Sequence, residues 1–273
     1  WETEIGKGRP GWHIECSAMS MKYLGNHFDI HAGGVDLVFP HHENEIAQSE
    51  ASTKKKFVNY WVHNEHLLVN GQKMSKSLGN FFTLRDLLTK GHNPKAIRYL
   101  LLSANYRVQL NFTEEAVKAA ENSVQRLSDF IRKIAIFKKV LTKKKQDPEI
   151  KNLIQKTKQK FIEKMDDDLN ISEALAVIFD FVRDINTKMT SSGIDKRDAQ
   201  NVYDFMNEIN SILDVIQFKE EKLPIELKNL IDEREKARQE KNFAKADRIR
   251  EELKQKGIIL EDTKEGVRWK RGD

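Results

Sequence analysis

Short apolar runs alternate with turn residues along the first part of the chain, a pattern typical of α/β proteins. Helical apolar spacing covers residues 17–24, and residues 28–31 form a strand candidate that ends at glycine. A proline at its first turn opens a second predicted helix over 40–50, and the runs within 57–69 suit buried strands. Helix, strand, helix, strand is the order expected of half of a doubly wound α/β sheet.

Further along, the apolar positions predict helices of increasing length. Thr83 with Asp86 resembles a capping box, and Asn93 followed by Pro94 starts a helix over residues 95–103, before an extended crossover over 106–112. Four amphipathic helices then predict an antiparallel bundle, with starts near Thr113, Pro148, Ser172 and Asp198. A charged helical hairpin over 225–256 and a small β-hairpin made of 258–260 and 267–269 follow.

The composition changes near residue 92, and this change sets the predicted domains. All eight histidines and nine of the thirteen glycines lie at or before His92, whereas the remainder is rich in lysine and glutamate. Histidine and glycine collect where ring nitrogens or bare backbone approach ligands. We therefore predict a chemical domain over residues 1–92, a connecting segment over 93–112, a helical bundle over 113–218 and a small C-terminal domain over 219–273.

Charge and cysteine usage narrow the class of protein. The 273 residues carry a net charge of +5, which is compatible with a nucleic-acid partner but does not establish one. No apolar run approaches the length of a membrane span, no basic-then-apolar leader opens the chain, and a single cysteine suits a reducing cytosol. We expect a cytoplasmic protein that does not enter membranes. Because the chain opens on Trp1 without a start-like pattern, we interpret it as the interior of a longer protein.

Two lysines in the string KMSKS, at residues 73–77, are candidate catalytic groups. Lys73 and Lys76 can bring two ammonium groups into one mobile loop, followed by Gly79. Such a loop can neutralise the charge that builds up on a polyphosphate in the transition state without binding the ground state tightly. The alternative is a solvated, lysine-rich surface turn.

A second constellation consists of potential metal ligands. Cys16 precedes His41 by twenty-five positions, and Glu45 follows His41 at helical spacing, so both side chains project from one helix face. A thiolate, an imidazole and a carboxylate could meet at one zinc ion. From spacing alone, a small buried cysteine and a histidine–glutamate surface contact remain open.

Three strings together resemble one family. GWHIEC at residues 11–16, FPHHENE at 39–45 and KMSKS at 73–77, in this order, resemble the cysteinyl-tRNA synthetases, which are class I aminoacyl-tRNA synthetases. The resemblance extends through the bundle to Trp269. It implies the second half of a Rossmann-like catalytic domain, an anticodon-binding bundle and a tRNA-contacting tail, and therefore an α/β plus all-α fold. The family's His-Ile-Gly-His string and second zinc-binding cysteine have no counterpart, so we expect the C-terminal part of the enzyme, inactive by itself.

The resemblance also implies roles for individual residues. Cys16, His41 and Glu45 correspond to three of the four family ligands of one zinc ion, with His42 the adjacent alternative to His41. Trp12 and His31 correspond to walls of the cysteine pocket. The sequence at Gly33, Gly34 and Asp36 resembles the class I turn near ATP, which is used with magnesium. Lys76 would stabilise the transferring phosphates, with Lys73 assisting. The implied partners are L-cysteine, ATP and tRNA(Cys), and the expected state is a monomer.

Two other functions remain possible at this stage. The cysteine ligase of mycothiol synthesis shares the zinc pocket and also activates cysteine with ATP, but it has no use for an anticodon-binding bundle. A tRNA-binding fragment without catalytic activity is the second alternative, because half of the nucleotide site is missing from this sequence.

Overall fold

The chain forms two compact units, Trp1–Phe218 and Lys219–Asp273. The structure, a computed structural model, describes residues 1–139, 145–218, 224–240, 242–263 and 266–271. None of the helices described in these ranges is long and apolar enough to cross a membrane.

The first unit opens with a short antiparallel hairpin and continues into a βαβ arrangement. Its elements are β1 (Glu2–Thr3), β2 (Gly6–Lys7), α1 (Trp12–Leu24), β3 (Phe28–Gly34), α2 (Glu43–Thr53) and β4 (Val58–Asn64). Strands β3 and β4 pair in parallel, with Ile30 opposite Tyr60 and His31 opposite Trp61. Because parallel neighbours need a crossover, α2 lies between them in the chain, as the alternating pattern predicts.

The predicted start of α1 is wrong, and the first turn of the second helix is helical but not regular α-helix. Helix α1 begins at Trp12 rather than near residue 17, because Gly11 is its extended N-cap and residues 12–16 are helical although their polarity is mixed. Regular helix α2 begins at Glu43 rather than at Pro40. Residues Val38–His42 form a wider helical turn in which Phe39 is extended and the Phe39–Pro40 peptide bond is cis. Phe39 is extended because a residue before proline is disfavoured in the helical region, and the helical conformation begins at Pro40.

A three-stranded sheet and two short helices follow. They comprise β5 (Leu67–Val69), β6 (Gln72–Lys73), α3 (Leu84–Thr89), α4 (Pro94–Leu102) and β7 (Leu110–Phe112). Strand β5 is central, antiparallel to β6 and parallel to β7. The predicted capping box at Thr83 and Asp86 is present. The predicted extended crossover is confirmed only over β7, because residues 103–108 form turns instead.

Four helices make the bundle that the apolar pattern predicts. These are α5 (Glu114–Lys139), α6 (Pro148–Asp166), α7 (Ile171–Ser191) and α8 (Lys196–Leu213). Asp147, Asn170 and Asp195 cap the last three through side-chain oxygens that accept hydrogen bonds from backbone N–H groups. Their apolar faces share one core, which includes Leu127, Phe130, Ile134, Phe161, Ile178, Phe181, Ile185, Val202, Met206 and Ile209.

Helix α5 belongs to two apolar cores. Val117 and Ala120, near its start, pack with Val69, Leu87, Ala96, Ile97, Leu100 and Phe112, in what we call the β5 core. Its later turns lie in the bundle core. The predicted boundary at residue 113 stays a prediction, but a cut there would divide the β5 core.

The second unit has the predicted helical hairpin followed by a β-hairpin. It consists of α9 (Ile225–Gln239), α10 (Phe243–Gln255), β8 (Ile258–Thr263) and β9 (Gly266–Arg271), with β8 and β9 antiparallel. A small core made by Ile231, Ile249, Leu253, Ile258 and Leu260 holds it together.

Candidate metal and nucleotide site

Three potential metal ligands converge from two elements. Cys16 lies on α1, His41 in the turn before α2, and Glu45 in the first turn of α2. One ligand atom from each lies within 4.8 Å of the others. This is the set that the sequence analysis singled out, and the structure brings it together.

Glu45 is the most deeply buried residue of the cluster. Its side chain is 0% exposed, and Oε1 lies 2.7 Å from His41 Nε2 while Oε2 lies 3.3 Å from His31 Nε2. Neither oxygen has a hydrogen-bond partner of acceptable geometry among the described residues. The imidazole nitrogens therefore lie close to the carboxylate but are not aligned for hydrogen bonding. Burial raises the pKa of Glu45 to about 7. A buried carboxylate without hydrogen bonds is costly, and a cation would remove that cost.

The pKa shifts of the neighbouring groups favour their neutral forms. Burial, followed by the charge of Glu45, raises the pKa of the Cys16 thiol. Burial is also the main reason that the pKa values of His31 and His41 are lowered, and it lowers the pKa of His42 to about 4. Neutral imidazole is the form that binds metal, and a bound metal would bring the thiol to its thiolate. The donor set therefore fits three of the four ligand positions that zinc usually takes in proteins.

A second group overlaps with the first at Glu45. Ligand atoms of His31, His42 and Glu45 also lie within 4.8 Å of one another. His42 does not join Cys16 in that arrangement, and its Nδ1 lies 2.8 Å from His63 Nε2. His41, the preferred ligand in the sequence analysis, is the histidine that meets Cys16, but its role as a ligand stays a prediction.

Aromatic rings surround the cluster. Trp12 lies on α1, 58% exposed, with its ring centroid 4.3 Å from that of His41. His31 on β3 stands edge-on to His42 and Trp61, with centroid separations of 4.9 and 4.6 Å. The two residues expected to wall the cysteine pocket therefore both border the candidate metal ligands.

Three further residues, which were not predicted from the sequence, contact this cluster. His13 Nδ1 lies 2.9 Å from His41 Nδ1, His63 pairs with His42, and the Trp61 ring stacks parallel to that of His63. The signal for the last two was the alternation along β4, since residues two apart in a strand share a face. His13 lies within the GWHIEC string, next to Trp12.

Gly33, Gly34 and Asp36 lie at the end of β3 and have a packing role of their own. A Cβ on Gly33 would lie 2.7 Å from His42 Cε1, and one on Gly34 would lie 2.4 Å from Asp36 Oδ1. Close packing against the buried His42 ring thus already explains Gly33, whereas Asp36 is exposed and its carboxylate could turn away from a Cβ at position 34. Their predicted approach to ATP stays a prediction.

The lysine loop connects β6 to α3. Lys73 ends β6, and Lys76 lies in the turn that follows; both side chains are exposed. Lys76 Nζ stands 5.6 Å from the centroid of the Phe81 ring. Exposed ammonium groups on a turn are free to meet a polyanion, which suits the predicted role of this loop.

Comparison with known proteins adds independent information. Residues 1–122 match the family model of the class I (C) tRNA synthetase catalytic domain, residues 160–217 that of the DALR domain, and residues 220–269 that of the cysteinyl-tRNA ligase anticodon binding domain. The cysteine–tRNA ligase of Protochlamydia amoebophila is 49% identical over 99% of this chain and 56% of its own length. This chain belongs to the cysteine–tRNA ligase family. The enzyme of Brachyspira hyodysenteriae is 48% identical over 99% of the chain and 58% of its own length.

The chain therefore spans a little over half the length of these relatives. Among solved structures, the leucyl enzyme (LeuRS) from Agrobacterium radiobacter K84, crystallised as a ternary complex with tRNA and LeuAMS, aligns with a TM-score of 0.55. The alignment covers 67% of this chain and 25% of that one at 16% identity, which shows a shared fold only. The predicted class I catalytic part and helical anticodon-binding part are confirmed at the level of fold and family.

Proposed function

We propose that this chain supplies the cysteine-selecting metal site, the ATP-activating lysine loop and the tRNA-binding part of a cysteine–tRNA ligase. The observation that carries this proposal is the convergence of Cys16, His41 and Glu45, with the Glu45 carboxylate buried and without a hydrogen bond from any described residue. In the reaction, the cysteine carboxylate attacks the α-phosphate of ATP and pyrophosphate leaves. The cysteinyl group then passes to a hydroxyl at the 3′ end of tRNA(Cys), and AMP leaves.

Cys16, His41 and Glu45 would hold one zinc ion. Zinc bound there supplies a soft Lewis acid that favours the thiolate of cysteine over the hydroxyl of serine. A site that binds a polar group of the correct substrate specifically can reject the competing amino acid strongly enough that no separate editing step is needed. Trp12 and His31 border this position and would form the wall of the cysteine pocket, keeping water from the substrate side chain.

The lysines act on the phosphates of ATP, which is used with magnesium. Lys76 would stabilise the charge that develops as pyrophosphate leaves, and Lys73 would assist it. Gly33, Gly34 and Asp36 would contact the nucleotide, where bare backbone admits a ligand and a carboxylate can accept a ribose hydroxyl. Residues 113–273 would bind the tRNA. The expected setting is the cytoplasm, and the expected state is a monomer.

The match of residues 220–269 to a cysteinyl-tRNA ligase anticodon binding domain favours this function over the cysteine ligase of mycothiol synthesis. A tRNA-binding fragment without catalysis is the remaining alternative for the chain alone. We expect the 273-residue chain to bind tRNA in a salt-sensitive way and to form no adenylate.

The deciding experiment uses the complete enzyme and its Cys16→Ser variant. We expect about one zinc per chain and cysteine-dependent pyrophosphate exchange in the parent, and loss of zinc with collapsed selectivity against serine in the variant, because a hydroxyl is a poor ligand. His27→Ala is the control: its Nδ1 lies 2.8 Å from the Lys56 carbonyl oxygen, outside the candidate ligand groups. Full zinc content and unchanged selectivity in Cys16→Ser would exclude the metal assignment.

A further inference from the structure

The side-chain amide of Asn80 bridges the two ends of the lysine loop. Its Oδ1 accepts a hydrogen bond from the Ser75 N–H at 2.8 Å, and its Nδ2 donates one to the Lys73 carbonyl oxygen at 3.1 Å. Both hydrogen bonds reach the strand-side limb of the loop, on either side of Met74. One planar group therefore fixes two peptide units that lead into Lys76.

Met74 and the tip of the loop complete this arrangement. The Met74 side chain packs against the β5 core, so the base of the loop is held from a second direction. The tip is a closed turn: the Gly79 N–H donates to the Lys76 carbonyl oxygen at 3.2 Å, with Gly79 at a φ of 67°. The Leu78 N–H also donates to Ser75 Oγ at 3.2 Å. The base is thus anchored to the β5 core through Met74, whereas the hydrogen bonds described for the tip join residues of the loop to one another.

We propose that Asn80 is a positioning residue for the lysine loop: its two hydrogen bonds set the place from which Lys76 reaches the phosphates. This inference rests on the proposed role of Lys76 in ATP activation. A donor that is preorganised before the transition state costs no rearrangement when charge develops. The contact of the Lys76 ammonium with the Phe81 ring lies within cation–π range and would hold the lysine until a polyphosphate arrives.

Hydrogen–deuterium exchange on the 273-residue chain tests whether Asn80 holds the loop through these hydrogen bonds, without any activity assay. In Asn80→Ala the Ser75 amide loses its acceptor, and we expect it to exchange on the order of tenfold faster. In Asn80→Asp the acceptor for Ser75 remains while the donor to the Lys73 carbonyl is lost, so the Ser75 amide should stay more protected than in Asn80→Ala.

Asn111→Ala is the matched control both for this exchange measurement and for the activity assay described next. Asn111 Oδ1 accepts a hydrogen bond from the Gly71 N–H at 2.8 Å, in the neighbouring turn between β5 and β6. This is the same kind of contact as that from Asn80 to Ser75, but outside the lysine loop. We expect Asn111→Ala to release the Gly71 amide and to leave the Ser75 amide protected.

The activity assay uses the complete enzyme. Asn80→Ala should lower kcat for pyrophosphate exchange on the order of 10- to 100-fold, because a misplaced catalytic group loses its productive geometry. The KM for cysteine should not change, and Asn111→Ala should behave as the parent. Unchanged Ser75 protection in Asn80→Ala, or faster Ser75 exchange with an unchanged kcat, would overturn the proposal. If the parent enzyme showed no cysteine-dependent exchange, the proposed function would fail, and Ser75 protection would still decide whether Asn80 holds the loop.

Discussion

The helical bundle and the region around Glu45 bury different kinds of side chain. In the bundle, most buried residues are aliphatic or aromatic, such as Leu127, Ile178 and Phe181, although Ser128, Thr157, Asp195 and Asp198 are also buried. Among residues 1–66, only Phe57 and Val58 are buried apolar residues, while the buried polar residues of that stretch are Ser17, His41, His42, Glu45 and Ser49. One region is organised by apolar packing and the other around groups that could hold a ligand.

This difference has an energetic meaning. Apolar burial stabilises a fold by itself, at about 25 cal/mol per Å² of surface removed from water. Buried polar groups stabilise it only when each is satisfied, and the oxygens of Glu45 are not satisfied among the described residues. The β3–β4 pair also leaves Ile30 62% and Tyr60 69% exposed across from each other. Parallel sheets are usually covered on both faces. Among the described residues, the Glu45 region thus combines a buried carboxylate without a hydrogen bond and exposed apolar side chains on a parallel strand pair.

The largest effect should come from the lysine loop, where a substitution changes chemistry and not stability. In the complete enzyme we expect Lys76→Ala to slow pyrophosphate exchange by about two orders of magnitude or more, because its contact strengthens only in the transition state. The KM for cysteine and the melting temperature should stay near those of the parent.

Lys90→Ala is a suitable control for Lys76→Ala. The Lys90 ammonium also lies over an aromatic ring, 4.4 Å from the centroid of Phe82, but at the end of α3 and outside the loop. We expect the parental exchange rate in this variant. Equal rates for Lys76→Ala and Lys90→Ala would make Lys76 an ordinary surface lysine.

A substitution in the bundle core should have the opposite outcome. Ile178 is fully buried on α7, and truncation to alanine should lower the free energy of unfolding by about 2–5 kcal/mol, through lost burial and a residual cavity. Urea unfolding measures this loss. Zinc bound per folded chain of the complete enzyme should not change, because Ile178 belongs to a different core from the candidate ligands. A parallel loss of zinc at temperatures where the bundle is folded would mean that the two regions are not independent.

The sequence predicted the bundle and the ligand cluster for different reasons. The bundle follows from apolar periodicity, since residues such as Val124, Leu127 and Ile131 recur at helical spacing. For Cys16 and His41, spacing alone did not distinguish a metal site from ordinary packing. The resemblance of three strings to one family favoured the metal site. The wrong start of α1 comes from the same region, because polar residues such as His13 and Glu15 interrupt the periodicity on which helix prediction depends. Alternation along β4 places Trp61 and His63 on one face, but the partner of His63 could not be predicted, because His42 lies in the irregular turn before α2.

The smallest effect is expected at the polar contact between the turns that precede β7 and α7. Asp168, with a φ of 53°, accepts hydrogen bonds from the Tyr106 hydroxyl at 2.6 Å and from Arg107 Nε at 2.5 Å. Arg107 holds the pKa of Asp168 below its usual range. Because both side chains are exposed, solvent and salt screen the pair, so Asp168→Asn should lower the melting temperature less than Ile178→Ala does.

The exchanged pair Arg107→Asp with Asp168→Arg separates charge from shape at this contact. If the ion pair matters, the exchanged pair should regain part of the stability that each single variant loses, and the difference should shrink in high salt. The Tyr106 hydroxyl serves as an internal reference, since Tyr106→Phe removes one neutral donor and should be insensitive to salt. A loss in Asp168→Asn as large as that in Ile178→Ala would show that this exposed contact contributes far more to stability than solvent screening allows.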